Sequence, residues 1–166
     1  MKARWRALAD HDLAMVVRIA DMVHAELPEE PAVLAERLAL YPKGCFAAEQ
    51  GGAVVGYALA HPYRLGGVPA LNTPLGTLPA HPDCLYLHDA AVLPGARGAG
   101  LGTDLVGRLR TVAQAEGVPW LALTSVHGTA PYWARFGFEP RAPAPGCVGT
   151  YGDGAAYMVV PVGSPG

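Results

Sequence analysis

Residues 90–103 read Ala-Ala-Val-Leu-Pro-Gly-Ala-Arg-Gly-Ala-Gly-Leu-Gly-Thr, and they are the most informative stretch of the chain. They begin in a strand-like segment at 85–93, pass through a glycine-rich turn and enter a helix that is apolar on one face from Leu101 to Val112. The free amides of a helix N-terminus attract anions, and glycines let a phosphate approach the backbone. The turn is therefore interpreted as a phosphate-binding loop, although tight packing alone would also explain its glycines.

Two common nucleotide-binding motifs do not fit this turn. A dinucleotide fingerprint needs glycine or alanine at its sixth position, but the sixth residue counted from Gly98 is Thr103. A Walker A loop needs a Gly-Lys-Ser or Gly-Lys-Thr sequence, and the stretch contains no lysine. Both motifs are excluded here.

Periodicity and turn residues on either side of this stretch predict alternating strands and helices. They predict a short strand at 3–8, a helix stopped by Pro28, a second helix from Pro31, a hairpin of strands 45–49 and 53–59, a strand at 120–125, a short helix from Thr129 to Gly137, and a last strand at 157–162. The proline-rich residues 65–83 are expected to form a long loop over a functional site, or a surface loop without function. This order predicts an α/β domain spanning residues 1–166, with helices on both faces of a mixed sheet.

Composition limits the function classes. The chain has 166 residues, of which 51% are hydrophobic and 16% charged, with a net charge of −2. Such a chain can build a core, and it lacks the basic blocks that bind nucleic acid. Cys45, Cys84 and Cys147 form no CxxC pair, so neither a disulfide framework nor a metal site is predicted. Without a signal-like or bilayer-long apolar run, we expect a reduced, cytoplasmic protein with no membrane partner.

The motifs around the turn resemble the GNAT superfamily of acyl-CoA-dependent N-acetyltransferases. Arg97-Gly98-Ala99-Gly100-Leu101-Gly102 fits that family's Gln/Arg-x-x-Gly-x-Gly/Ala loop, and Ala90-Ala91-Val92-x-Pro matches its lead-in. The closing Arg135-Phe136-Gly137-Phe138 matches as well. The resemblance implies a mixed, mostly antiparallel central sheet of six or seven strands, flanked by about four helices, with strands 4 and 5 splayed apart.

The resemblance also implies a site for acetyl-CoA as co-substrate. Backbone groups of Ala90, Ala91 and Val92 would pair with the pantetheine arm. The pyrophosphate would lie in the loop formed by Arg97, Gly98, Ala99, Gly100, Leu101, Gly102 and Thr103, held by the amides of its glycines and of Thr103. Arg97 would either shape the turn or contact a phosphate directly.

The tyrosine that often acts as general acid in this family is displaced. Its position, four residues before Gly137, is occupied by Trp133, and Tyr132 precedes it. Either Tyr132 is reoriented to protonate the thiolate, or it packs or faces substrate and another group supplies the proton. The family's pantetheine-binding asparagine is also not evident in the segment that contains His127.

The candidate bases lie on the strand before the turn. Strand alternation places Tyr86 and His88 on one face and Asp89 with Leu87 on the other, unless a bulge intervenes. Tyr86 and His88 align with paired histidines of the arylalkylamine N-acetyltransferases. A histidine with a pKa near ~6.5 can take the proton of an alkylammonium, and Asp89 or ordered water are the alternatives to His88.

The expected activity is transfer of an acetyl group from acetyl-CoA to a primary amine of a small molecule or peptide, by direct attack. Glu26, Glu29 and Glu30 favour a cationic small amine, although a solvated acidic turn would look the same. The alternative is a non-catalytic acyl-CoA-binding sensor or interaction domain. A homodimer is left open.

Overall fold

The computed structural model describes residues 2–98, 100–144, 151 and 154–163. Ala99 and Cys147 lie outside the described residues. The strands are β1 (Arg4–Ala7), β2 (Cys45–Gln50), β3 (Ala53–Tyr63), β4 (Cys84–Val92), β5 (Trp120–Ser125), β6 (Glu139–Pro140) and β7 (Ala156–Pro161). The α-helices are α1 (Leu13–Val23), α2 (Pro31–Leu40), α3 (Leu101–Glu116) and α4 (Ala130–Ala134).

The strands form one mixed sheet in the order β1-β2-β3-β4-β5-β7-β6. Every neighbouring pair is antiparallel except β4 and β5, which run parallel on either side of the α3 crossover. The predicted mixed, mostly antiparallel sheet is therefore confirmed, with seven strands and four α-helices in the described part of the chain.

Helices cover both faces of the sheet. On one face, Leu105 and Leu109 of α3 pack over Leu85 and Leu87 of β4. On the other face, α1 and α2 pack over β2 and β3, with Tyr57 of β3 fully buried between them. Burial of each such large apolar side chain contributes about 1.5–3 kcal/mol, so these two layers hold the sheet rigid beneath the site. Within the described residues, no helix is both long and apolar enough to cross a membrane.

The first helix is shorter than predicted. It ends at Val23 instead of continuing to Pro28, and His24 leaves the helical conformation at φ −114° and ψ 42°. The side chains of the following segment make tertiary contacts with β4, described below, which outweigh local helix propensity. As a result, residues 24–30 lie alongside the sheet and not on a helix above it.

Strands β4 and β5 separate halfway along their length. Their ladder runs from Cys84 opposite Trp120 to Leu87 opposite Leu123 and ends there, while β4 continues to Val92. The ladder ends at a β-bulge: on β3, Leu59 pairs with Asp89 and Ala60 with Leu87, so His88 is the extra residue. A bulge bends its strand and increases the local twist. The gap between β4 and β5 opens where the bulge lies.

Candidate active site

One cleft of about 670 Å³ joins the gap between β4 and β5 to the start of α3. Its apolar walls come from residues of β4, β5 and α4. Its polar lining includes His24, Glu29, His88, Asp89 and His127. The predicted phosphate turn and the predicted base therefore face the same cavity.

The glycines of the turn leave open space in front of the backbone. Gly98 and Gly100 have φ of 95° and 80°, in the left-handed region that favours glycine, and a Cβ at either would meet no atom of the described chain within 4 Å. The amide of Asp104 donates to the carbonyl of Gly100 at 3.0 Å, so the amides of Gly102 and Thr103 precede this first full helical bond. Together with the helix dipole, these amides fit an anion such as a pyrophosphate.

Arg97 stabilises the turn from within. Its Nε donates to the carbonyl of Val92 at 2.9 Å, which ties the end of β4 to the residue before the first glycine. Trp5 of β1 supports the far side, because its Nε1 donates to the carbonyl of Leu101 at 2.9 Å. This bond fits the predicted role of Arg97 in shaping the turn, and direct contact of Arg97 with a phosphate stays a prediction.

Tyr132 lies against the beginning of α3. A Cβ at Gly102 would overlap the Tyr132 hydroxyl and lie 3.0 Å from Cζ of Phe136, so a larger residue there would displace these two side chains. The guanidinium of Arg135 lies 5.6 Å from the centre of the Tyr132 ring. Burial raises the pKa of Tyr132, and nearby Arg135 partly offsets that rise. The neighbouring Trp133 packs edge-on against Phe138, with ring centres 5.9 Å apart.

The bulge changes which side chains of β4 share a face. Asp89 accepts a hydrogen bond from the Tyr57 hydroxyl at 2.5 Å, and His88 Nε2 lies 2.9 Å from Glu29 Oε1. Both contacts are on the face of the sheet that α1 and α2 cover. Regular alternation predicts His88 and Asp89 on opposite faces of β4, and that prediction is wrong because a bulge intervenes. The extra residue shifts the alternation by one position.

Tyr86 is not at the surface of the cleft. It is fully buried, and its hydroxyl lies 2.8 Å from Oγ1 of Thr124. Burial raises the pKa of Tyr86 well above its usual value. The polar pair that β4 presents at the cleft is therefore His88 and Asp89, with Tyr86 packed behind them.

His88 and Glu29 form a buried pair. The His88 side chain is 0% exposed and that of Glu29 is 7% exposed. Nδ1 of His88 is buried and has no hydrogen-bond partner among the described residues. The ring of His61 lies near that of His88, with the two ring centres 6.3 Å apart. Burial lowers the pKa of His61 to about 3, so this second ring is neutral.

Asp89 also lies at the end of a line of titratable groups. Nε2 of His24 is 2.8 Å from Asp89 Oδ1, an ion-pair distance without hydrogen-bond geometry. Burial is the largest influence on the pKa of each residue and opposes its charged form. The mutual attraction, with further polar neighbours, nonetheless raises the pKa of His24 and lowers that of Asp89. Nδ1 of His24 is 3.1 Å from Nε2 of His127.

The loop between β3 and β4 (residues 64–83) is tied to the same region. The Asn72 amide donates to Glu29 Oε2 at 3.0 Å, so Glu29 contacts both the loop and His88. Glu36 of α2 accepts hydrogen bonds from the amides of Leu75 and Gly76 at 2.6 and 3.0 Å. Leu71 of this loop lines the cleft.

Sequence reasoning missed the role of His24. Its position at the end of α1 carries no motif, and it reaches Asp89 only because the helix ends early. Glu29 was noted for its charge, but its contact with His88 spans 59 residues and no local pattern indicates it. Within the described residues, no group of three or more histidine, cysteine or acidic side chains is arranged to hold a metal ion.

The fold and cleft define the class of protein. The model of the acetyltransferase (GNAT) family matches residues 13–138, and the chain belongs to this family. Acyl transfer from a coenzyme A thioester is the general chemistry of the family. No curated protein sequence matches the chain significantly.

Solved structures share the fold at low sequence identity. Ard1 from Thermoplasma volcanium is 16% identical with a TM-score of 0.75, covering 99% of this chain and 100% of its own. GphF, a GNAT-like decarboxylase in complex with isobutyryl-CoA, is 22% identical with a TM-score of 0.71, covering 96% and 99%. The ribosomal-protein-S18-alanine N-acetyltransferase from Escherichia coli is 20% identical with a TM-score of 0.66, covering 99% and 96%.

Proposed function

We propose that this protein transfers an acetyl group from acetyl-CoA to a primary amine of a small molecule or peptide. The supporting observation is that a single cleft joins the phosphate-type turn of α3 to a buried histidine and two carboxylates at the bulge of β4. A thioester lying along this cleft would have its phosphates at the turn and its acetyl group near the bulge.

The turn and the free edge of β4 supply the co-substrate site. Beyond the end of the ladder with β5, residues 90–92 present backbone groups toward the gap, where the amides of a pantetheine arm can pair with them. The pyrophosphate would be held by the amides of the turn, with Gly98 and Gly100 leaving room for its oxygens. The described residues of the turn therefore fit the group.

The reaction must remove two protons from the acceptor nitrogen. In acetyl transfer to an alkylammonium, the new C–N bond replaces the C–S bond; one proton leaves to solvent and one ends on the sulfur. An alkylammonium has a pKa near that of lysine, ~10.4, so it needs a base before it can attack. We assign the proton lost during attack to His88, which contacts the cleft through Glu29: its Nε2 lies 2.9 Å from Oε1 of Glu29, and Glu29 lines the cleft.

The carboxylates of the cleft favour a cationic acceptor. Glu29 and Asp89 both line it, and no arginine or lysine side chain is bonded to either in the described residues. Two carboxylates in a partly dry cavity attract an ammonium group more strongly than they would in water. This supports an amine that carries its positive charge into the site.

A second candidate is an acyl-CoA-binding domain without transfer activity. The observation in its favour is Trp133, which occupies the position of the usual acid and packs against Phe136 and Phe138. An indole does not donate a proton near neutral pH. In this interpretation the cleft would bind the thioester and leave it intact.

The two candidates differ in one measurement. The purified protein is mixed with acetyl-CoA and a panel of amines, amino acids, aminoglycosides and peptides, while released thiol and acetylated product are followed by absorbance and mass spectrometry. We expect thiol release that depends on an amine and matches the acetylated product in amount. Saturable acetyl-CoA binding without release for any member of the panel would favour the sensor.

A further inference from the structure

Three side chains lead from the bulge of β4 to the rim of the cleft. Asp89 contacts His24 at 2.8 Å, and His24 contacts His127 at 3.1 Å, with the two imidazole rings stacked at 12° and 5.3 Å. Asp89 and His24 are largely buried, with 11% and 14% of their side chains exposed. His127, after β5, is exposed. The chain of contacts therefore runs from the interior to solvent.

Neighbouring charges bias this line toward holding a proton at His24. Tyr57 of β3 donates to the second oxygen of Asp89, which fixes that carboxylate. Glu29 faces His24 from the segment after α1, and Asp21 of α1 adds negative charge near Tyr57. His88, the adjacent residue on β4, faces Asp89 from the other side. Asp89 and Glu29 thus favour the protonated form of His24.

We propose that Asp89, His24 and His127 form a relay that carries the first proton of the acceptor ammonium out of the cleft to solvent. The proposal rests on the proposed function, since only an amine substrate brings that proton. His88 takes the second proton, the one released during attack, and that proton ends on the sulfur of the leaving coenzyme A. The relay explains why a buried ion pair lies beside the candidate base and continues to an exposed histidine.

The protons balance along this path. The His24 imidazolium first gives its Nδ1 proton to Nε2 of His127, which releases its Nδ1 proton to water. The His24–Asp89 couple then carries one negative charge, and the Asp89 carboxylate takes a proton from the bound ammonium. One N–H bond breaks on the acceptor, one bond to hydrogen forms on the couple, and the couple returns to its starting charge.

The test uses a substrate found in the amine screen and four variants. We expect His24→Gln to lower kcat at pH 7 by about 10²-fold, the lower end for acid–base groups, with unchanged KM for acetyl-CoA. The pH profile of kcat should also differ from that of the wild type, because the group that passes the first proton to His127 is missing. His127→Ala, at an exposed position, should lose less activity and regain it with added imidazole. His11→Ala is the matched control, because His11 is 82% exposed and does not line the cleft.

A measurement without substrate completes the test. Imidazole nitrogen NMR should show His24 titrating above the ordinary histidine range in the wild type, and at a lower pH in Asp89→Asn. Wild-type kinetics in His24→Gln and His127→Ala, or titration of His24 that ignores Asp89, would overturn the relay while leaving the proposed function standing. A wild-type protein that acetylates no amine would overturn the proposed function and the relay with it.

Discussion

Two glycines at opposite ends of α3 allow a matched test of the phosphate turn. Gly100 precedes the helix at φ 80° and ψ 11°, and Gly117 follows it at φ 74° and ψ 22°. A Cβ at either position meets no atom of the described chain within 4 Å. Alanine at either site therefore causes the same backbone strain and no steric clash, but only Gly100 lines the cleft.

The strain and the binding effect can be estimated separately. The left-handed conformation costs a residue with a Cβ about 1–2 kcal/mol, so both Gly100→Ala and Gly117→Ala should lose that much free energy of unfolding. For a domain of this size the loss lowers Tm by about 2–8 °C. A hydrogen bond to a charged group is worth about 1.5–3 kcal/mol, so a methyl group at Gly100 that displaces one phosphate contact weakens acetyl-CoA binding about 10- to 100-fold.

Calorimetric titration with acetyl-CoA and thermal unfolding of both variants provide the assay. We expect equal losses of Tm and a loss of affinity only for Gly100→Ala. Gly100→Glu should bind still more weakly, because its carboxylate repels the pyrophosphate. Unchanged affinity in folded Gly100→Ala and Gly100→Glu, or an equal loss of affinity in Gly117→Ala, would refute the assignment of the turn.

Three further predictions concern the rest of the cleft. His88→Gln should lower kcat about 10²-fold or more, while the affinity for acetyl-CoA stays within threefold of wild type. Steady-state kinetics and binding measurements check this, and near-normal turnover would show that His88 has only a structural role. Tyr132→Phe should change kcat less than about fivefold, because the Tyr132 hydroxyl packs on the start of α3. Loss of a general acid would have a much larger effect, so a fall in kcat of about 100-fold would identify Tyr132 as the acid. Burial opposes ionisation of Glu36, but the two loop amides that it binds and Arg37 lower its pKa overall. Its stabilising effect is therefore present at neutral pH and lost as the pH falls below about 4. Glu36→Ala at pH 7 should speed hydrogen exchange at the amides of Leu75 and Gly76. It should also raise KM for the amine but not KM for acetyl-CoA, and equal changes in the two KM values would contradict this prediction.

The parts of the fold that depend on local pattern could be predicted from the sequence. The strand at 120–125 and the helix that begins at Pro31 lie where periodicity and proline place them. The glycine turn also indicates the family, because phosphate binding by backbone amides requires residues that are adjacent in the chain. Local rules are sufficient where the structure itself is local.

The polar centre of the cleft could not be predicted in the same way. His24 contacts His127 across 103 residues, and Glu29 contacts His88 across 59 residues. The face of Asp89 depends on the bulge, which is a property of the pairing between β3 and β4 and not of either strand alone. Alternation along a single strand therefore predicts that His88 lines the site together with Tyr86, whereas the residue of β4 that lines the cleft beside His88 is Asp89.

The bulge at His88 links stability and binding at the same place. A regular β4 would alternate side chains, which would place one of His88 and Asp89 on the face under α3, among the apolar side chains of that core. It would also allow the parallel ladder to continue past Leu87 to the end of β5 at Ser125, which would narrow the gap that the backbone groups of residues 90–92 face. With the bulge present, those backbone groups face the cleft and form hydrogen bonds with water. A bound thioester can replace these with hydrogen bonds to its own amides, with little net change in free energy. The interactions that the sheet gives up are the ones that the co-substrate can supply, so we expect acetyl-CoA to stabilise the separated ends of β4 and β5 more than any other part of the chain.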